Sequence, residues 1–187
     1  MHFNFMNKNP CYTKYKIGKF TYGEPVVEDW WKHPGVTLQI GNFCSISKRV
    51  TIWLGGNHRI EWISTSPLNH FLGYENSHKF DQISTKGSVI IENDVWIGAD
   101  AVILSGVNIG DGAVIGARAV VSKSIPPYGI AVGNPAKTVK KRFTDEQINS
   151  LLKIQWWNWD DEKIKVNIPY ILNNNIEEFI KKFGDKK

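Results

Sequence analysis

The sequence predicts a mainly β protein, a parallel β-helix of six-residue units that carries a helical tail. Three observations predict it. Residues 91–121 repeat every six: Ile91, Ile97, Ile103, Ile109, Ile115 and Val121 share one phase, and Val95, Ala101, Val107, Ala113, Ala119 and Ile125 follow each by four. That period fits neither the helical repeat of about 3.6 nor strand alternation. It fits a coil whose sides are short units, each pointing one large aliphatic inward and a smaller residue near a corner, so that stacked coils bury a core no single unit could bury. The same phase occurs earlier at Ile40, Ile46 and Ile52, with Cys44 and Val50 in the smaller position. After Thr144 the pattern changes to a helical one.

The elements follow in order. Residues 1–16 are polar and aromatic without a period, and suit a cap or a contact between copies. Ile17, Gly18 and Thr21 begin the first hexad. Residues 23–34 interrupt it with Glu24, Pro25, Asp29, Trp30, Trp31, Lys32 and His33, so a candidate binding loop leaves the scaffold there. The alternative is that its tryptophans only pack on the coil. A second interruption covers residues 58–86, longer than passive loops usually run, and the hexads return by Val89. Adjacent Pro126 and Pro127 remove backbone donors, and the regular coils are expected to end at them. Thr144 and Gln147 have the spacing of a capping box, with Ile148, Leu151 and Leu152 as the apolar stripe of a helix. A further helical segment is expected from Asp160, disturbed by Pro169, and a last one on Ile176, Phe179, Ile180 and Phe183, stopped at Gly184. The organisation is therefore a β-helix over residues 1–143 and a helical extension over 144–187 that covers an end or a side of the prism.

The net charge of +5, from 23 basic and 18 acidic residues, is mild and suits either a lysine-rich surface or a phosphate-bearing ligand. No basic stripe with interleaved stacking aromatics points to nucleic acid. Cys11 and Cys44 are too few for a disulfide framework, and Cys44 falls on an inward phase. No apolar run reaches the length of a membrane span and the N-terminal residues lack a signal pattern, so a cytoplasmic protein is expected.

His58 lies where the coil gives way to the second excursion. Histidine takes up a proton near neutral pH, its unperturbed pKa being about 6.5, so an imidazole at the edge of a rigid scaffold suits a general base. A lone histidine is more often a surface residue, and its context decides between the two. The units IGADAVILSGVNIGDGAVIGARAV, with DVWIG before and GNPAK after, resemble the hexapeptide-repeat acyltransferases. GGNHRIEWISTSPL, GNPAKTVKKRF and WWNWDDEKI narrow the resemblance to the xenobiotic acetyltransferase branch, with the hexapeptide-type chloramphenicol and streptogramin acetyltransferases, over about residues 40–161.

The resemblance implies a left-handed coil of triangular section, a homotrimer with active sites between subunits, and acetyl-CoA as donor. It maps the family's catalytic histidine onto His58. Glu61 stands where the family commonly has Asp, with a longer side chain, and pairs either with Arg59 or with a neighbouring chain. The implied reaction is direct transfer: His58 removes a proton from an acceptor hydroxyl as the oxygen attacks the thioester. Backbone N–H groups are suited to the tetrahedral oxyanion. Gly98, Ala99, Gly116 and Ala117 are small enough to leave backbone amides open to the pantetheine arm, although tight corners alone would explain them. Trp96 is a candidate wall of the transfer site. Lys137, Lys140, Lys141 and Arg142 offer charge to the CoA phosphates, with Lys137 and Arg142 preferred. Trp30, Trp31, Glu61, Trp62 and Phe71, with Pro67 and Tyr74 nearby, are the candidate acceptor residues. The acceptor is an antibiotic-like xenobiotic or a sugar of a surface-glycan precursor. Two other readings stand beside this one: a zinc trimer of the γ-carbonic anhydrase type, using His58, His70 and His78 although their spacing forms no compact ligand motif, and a β-helix scaffold without catalysis. No metal is expected on the acetyltransferase reading.

Overall fold

A computed structural model describes residues 4–29, 33–76 and 79–184. Its strands in chain order are β1 (Lys16–Ile17), β2 (Val26–Glu28), β3 (Leu38–Ile40), β4 (Ser45–Ile46), β5 (Thr51–Trp53), β6 (Asn57–His58), β7 (Ile83–Ser84), β8 (Val89–Ile91), β9 (Trp96–Ile97), β10 (Val102–Ile103), β11 (Asn108–Ile109), β12 (Val114–Ile115), β13 (Val120–Val121), β14 (Gly129–Val132) and β15 (Lys137–Lys141). They form three sides. The first is β1-β3-β8-β11, the second β15-β14-β12-β9-β4, and the third β13-β10-β5-β2. The chain visits the sides in the same cycle each turn: β3, β4, β5, then β8, β9, β10, then β11, β12, β13. All pairs on the three sides are parallel except the last hairpin, β14 with β15.

The six-residue period is the cause of this winding. On the second side Ile46, Ile97, Ile115 and Ala131 stand in register. On the third, Val27, Ile52, Ile103 and Val121 do so. The inward isoleucines of the ladders are 0–4 % exposed, and each such burial contributes about 1.5–3 kcal/mol. Cys44, Val95, Ala101, Ala113 and Ala119 fill the narrower space beside the corners and are 0–1 % exposed.

Three corners join the sides, and the rest of the molecule is hung on them. At the first corner, between the first and second sides, Phe20, Phe43, Asp94, Gly112 and Tyr128 all have left-handed backbone, with φ between 55° and 65°. Gly112 is required there, because a Cβ would lie 2.4 Å from Cε1 of Tyr128. A ladder of short polar side chains satisfies the corner amides: Lys19 N donates to Asn42 Oδ1, Asn42 N to Asn93 Oδ1, and Asn93 N to Asp111 Oδ1, at 2.8–3.0 Å. The second corner carries Arg49, Asp100 and Arg118 in the same conformation. The third releases the chain into the excursion that holds the short helix α1 (Leu68–Phe71).

The tail is helical: α2 (Asp145–Ile154), α3 (Asp161–Ile171) and α4 (Ile176–Phe183). Thr144 and Gln147 form the capping box, and Asp160 caps α3. The tail packs along the first corner, so it covers a side of the prism. Ile148, Leu151, Trp157 and Phe179 bury against Tyr128, the Phe43 and Trp156 rings are 5.1 Å apart, and Asn42 Nδ2 and Lys19 Nζ donate to the carbonyls of Trp157 and Trp159.

Three elements differ from the sequence expectation. Within the first interruption, Val26–Glu28 is a strand of the third side, paired with β5; with Tyr22 opposite Ser45 and Val27 opposite Ile52, the chain between them is two residues shorter than in the next turn, which shifts the phase without removing the rung. The two prolines do not end the coil. Ile125 N bonds to Asn108 O before them and Tyr128 N to Asp111 O after them, so they occupy corner positions that need no donor, and β14 adds one more rung. Pro169 lies inside α3, which ends two residues later. No described helix is long and apolar enough to cross a membrane.

Candidate active site

The third corner sends out His58. After β5 the chain passes Gly55 and Gly56, and β6 pairs antiparallel with β7, Asn57 opposite Ser84 and His58 opposite Ile83. This two-residue ladder is the neck of the excursion. It is tied to the coil by Asn57 Nδ2, which donates to Ser105 Oγ at 3.2 Å, and closed by Ser84 Oγ, which donates to Asn57 O at 3.2 Å. His58 is exposed, and its Nδ1 lies 2.6 Å from the carbonyl oxygen of Thr65. A carbonyl only accepts, so Nδ1 carries the hydrogen. In the neutral ring Nε2 is then left with a lone pair. The geometry supplies an imidazole held at Nδ1 whose basic nitrogen has no partner among the described residues.

Glu61 does not orient the ring. It pairs with Arg59 at 3.4 Å, and Arg59 Nε donates to the carbonyl of Asp81 at 2.5 Å.

The excursion encloses a pocket of about 450 Å³ walled by Trp62, Ile63, Leu68, Leu72, Tyr74 and Phe80, with Ser64, Ser66, Asn69 and Gln82 as its polar residues. Phe80 makes edge contacts with Trp62 and Tyr74, at centroid distances of 6.4 and 5.9 Å. Ser64 and Ser66 flank Thr65, so the turn that holds His58 also lines the pocket. Of the acceptor candidates described, Trp62 and Tyr74 line this pocket. Phe71 is 71 % exposed on α1 and outside the lining, and Glu61 is turned to Arg59. Trp30 and Trp31 lie outside the described residues, as does His78. Ile63, Leu68, Leu72, Phe80 and Gln82 escaped the sequence reading because an aperiodic segment gives no phase from which to tell lining from surface.

The coenzyme candidates fall on two different corners. Gly98, Ala99, Gly116 and Ala117 form a ledge along the second corner. A Cβ on Gly98 would lie 2.5 Å from Ala117 N, so close stacking of the rungs requires that glycine, while one on Gly116 would lie 2.7 Å from Val132 Cγ1, a side chain that would have to shift. Trp96, 55 % exposed on β9, stands beside the ledge on the second side. Lys137 is exposed and paired with Val132. Arg142 is on the first corner instead. Its Nη1 donates to Gly112 O at 2.8 Å and lies 3.5 Å from Asp94 Oδ2, and its guanidinium packs over the rings of Tyr128 and Phe143. Burial holds the Asp94 carboxyl above its ordinary range, with Arg142 pulling the other way. Arg142 thus joins the coil to the tail.

Cys44 is buried, its Sγ donating to Glu92 O at 3.0 Å, and burial pushes its thiol up to about 12. It is not placed for nucleophilic work. Cys11 is exposed. In a thiol titration with an aromatic disulfide, the folded protein is expected to react at one cysteine and the denatured protein at two; two fast thiols in the folded state would contradict the burial of Cys44. Among the described residues no group of three or more His, Cys, Asp or Glu could hold a metal ion.

Comparison with known proteins agrees with this architecture. Residues 88–123 match the family described as bacterial transferase hexapeptide, six repeats. A chloramphenicol acetyltransferase of Klebsiella aerogenes is 46 % identical over 144 residues, 74 % of this chain and 68 % of that one. A probable macrolide acetyltransferase of Lysinibacillus sphaericus is 44 % identical over 164 residues, 86 % of this chain and 91 % of that one. A virginiamycin A acetyltransferase of Staphylococcus aureus is 46 % identical over 146 residues, 76 % of this chain and 66 % of that one. The chain belongs to the hexapeptide-repeat acyltransferases. Within them it belongs to the xenobiotic acetyltransferase branch, and it is an acetyltransferase.

Proposed function

We propose that this protein transfers an acetyl group from acetyl-CoA directly to a hydroxyl of an antibiotic-like acceptor, with His58 as general base. The contact between His58 Nδ1 and the Thr65 carbonyl carries the reading, because it leaves Nε2 able to take the hydroxyl proton. As the acceptor oxygen attacks the thioester, the proton moves to Nε2. The tetrahedral oxyanion is stabilised by N–H donors. It collapses to ester and CoA thiolate, and the imidazolium returns its proton to the thiolate. No acyl-enzyme forms, in keeping with the burial of Cys44.

The pocket beside His58 favours an acceptor with an apolar body over a sugar. Six of its walls are aliphatic or aromatic, whereas a sugar carries hydroxyls around its rim that need polar partners. The relatives named for chloramphenicol, macrolide and virginiamycin acetylation agree with such an acceptor. Trp30, Trp31, Glu61 and Phe71 remain proposed acceptor contacts.

Within one chain, His58 leaves the third corner and the glycine ledge runs along the second. A left-handed coil assembled as a homotrimer would set the ledge of one copy, with Trp96 and Lys137, against His58 of the next, and the donor would lie in that crevice. Gly98, Ala99, Gly116 and Ala117 would expose amides to the pantetheine arm, and Lys137 would meet the phosphates. Arg142 is a phosphate ligand only if it leaves Asp94. The coil over residues 1–143 is then the catalytic domain and residues 144–187 its helical extension, in the cytoplasm with the donor.

Trp62→Ala tests the acceptor side. Loss of this wall is expected to raise the acceptor KM about tenfold, as removing one to two kcal/mol of apolar and aromatic contact implies, with the KM for acetyl-CoA unchanged. Unchanged acceptor KM in a thiol-release assay would remove this pocket from the reaction.

A further inference from the structure

Arg59 is the residue beside the proposed base that ties together parts of the excursion far apart in sequence. It follows His58 on the neck strand. Its Nε donates to the carbonyl of Asp81 at 2.5 Å, across the excursion it opens. The same guanidinium pairs with Glu61 at 3.4 Å and lies 5.6 Å from the Trp62 ring centroid. Trp62 in turn meets Phe80 edge-on, and Phe80 directly precedes Asp81. Beside the two residue pairs of the neck ladder, the Ser84 hydroxyl and the Trp62–Phe80 contact, this side chain joins residue 59 to residue 81. Between these ends lies Thr65, whose carbonyl fixes the tautomer of His58.

We propose that Arg59 is a positioning residue for the transfer: it closes the neck of the excursion, holding the Thr65 carbonyl against His58 Nδ1 and the Trp62 wall against the acceptor. The inference rests on the reading of His58 as the base. It also gives Glu61 its place, as the carboxylate that aims the guanidinium. A flexible lysine ammonium can reach one of these partners but cannot donate to Asp81, face Glu61 and pack over Trp62 together.

The test is to measure Arg59→Ala and Arg59→Lys beside wild type and His58→Ala, in thiol release and in the ¹⁵N NMR spectrum of the imidazoles. The chain has 5 histidines, and the spectrum of His58→Ala assigns the signal of His58. In wild type that ring is expected as the Nδ1–H tautomer. In Arg59→Ala it is expected as a mixture of tautomers, with kcat lower by about 10- to 100-fold, as small misplacement of a reacting group implies, a higher acceptor KM and an unchanged KM for acetyl-CoA. Arg59→Lys should fall between, and it carries the test if the alanine variant does not fold. An unchanged ring tautomer or an unchanged kcat in a folded Arg59 variant, with His58→Ala inactive, overturns the role of Arg59 and leaves the base in place. Full activity in His58→Ala overturns the base, and the inference with it.

Discussion

His58→Ala is expected to keep less than about one hundredth of the wild-type turnover, with both substrates still bound. General-base catalysis contributes about 10²- to 10⁴-fold, and the His33 imidazole that lies against Gly55 at the root of the neck has its Nε2 buried. His58 is exposed and, among the described residues, its ring bonds through Nδ1 to the Thr65 carbonyl, so alanine removes the base with little cost to the fold. Free-thiol release from acetyl-CoA with a saturating acceptor reads the loss, and calorimetric binding of acetyl-CoA shows whether the donor site survives. His58→Ala with kcat within a few fold of wild type would sink His58 as the base.

Ile103→Ala is expected to destabilise the folded chain by about 2–5 kcal/mol, the range for truncating a buried isoleucine in a core that cannot collapse. Ile103 is 0 % exposed and stands in register between Ile52 and Val121 on the third side. A hole there breaks the ladder in both directions. Its neighbour Val102, half-buried on the outward face of the same strand, provides the contrast: Val102→Ala should cost well under half as much. Denaturant midpoints at equal m-values check both. Equal losses would mean that the six-residue phase does not set the inward face.

The coil was legible because its cause is local. Each unit repeats the same inward isoleucine, and one phase read from Ile91 to Val121 fixed the burial of Cys44 and Ile52 in earlier turns as well. The capping box at Thr144 was equally readable, since both of its partners lie within four residues. What the period could not show is where a change in unit length leaves the rung in place. Val26–Glu28 keeps its place on the third side although the chain before it is two residues short, and Pro126 and Pro127 fit a corner that no sequence rule marks as tolerant. The site was half legible. His58 stood out through its motif, but its partner, the Thr65 carbonyl, is a backbone atom to which no residue type points. Arg142 shows a different limit: a basic residue after GNPAK reads as a phosphate ligand, and its position beside Asp94 and the Gly112 carbonyl is set by the fold. Charge in a sequence does not say which corner receives it.

The most direct measurement is to stop the reaction during turnover and weigh both acceptor and protein by mass spectrometry. Acetyl-CoA would be supplied with chloramphenicol, a streptogramin A compound, a macrolide and, in a separate arm, simple and nucleotide-linked sugars. Direct transfer predicts that an antibiotic acceptor gains one acetyl group on oxygen while thiol is released in equal amount and the protein keeps its own mass. An acetyl group carried on the protein, or thiol released without any acetylated acceptor, would contradict it.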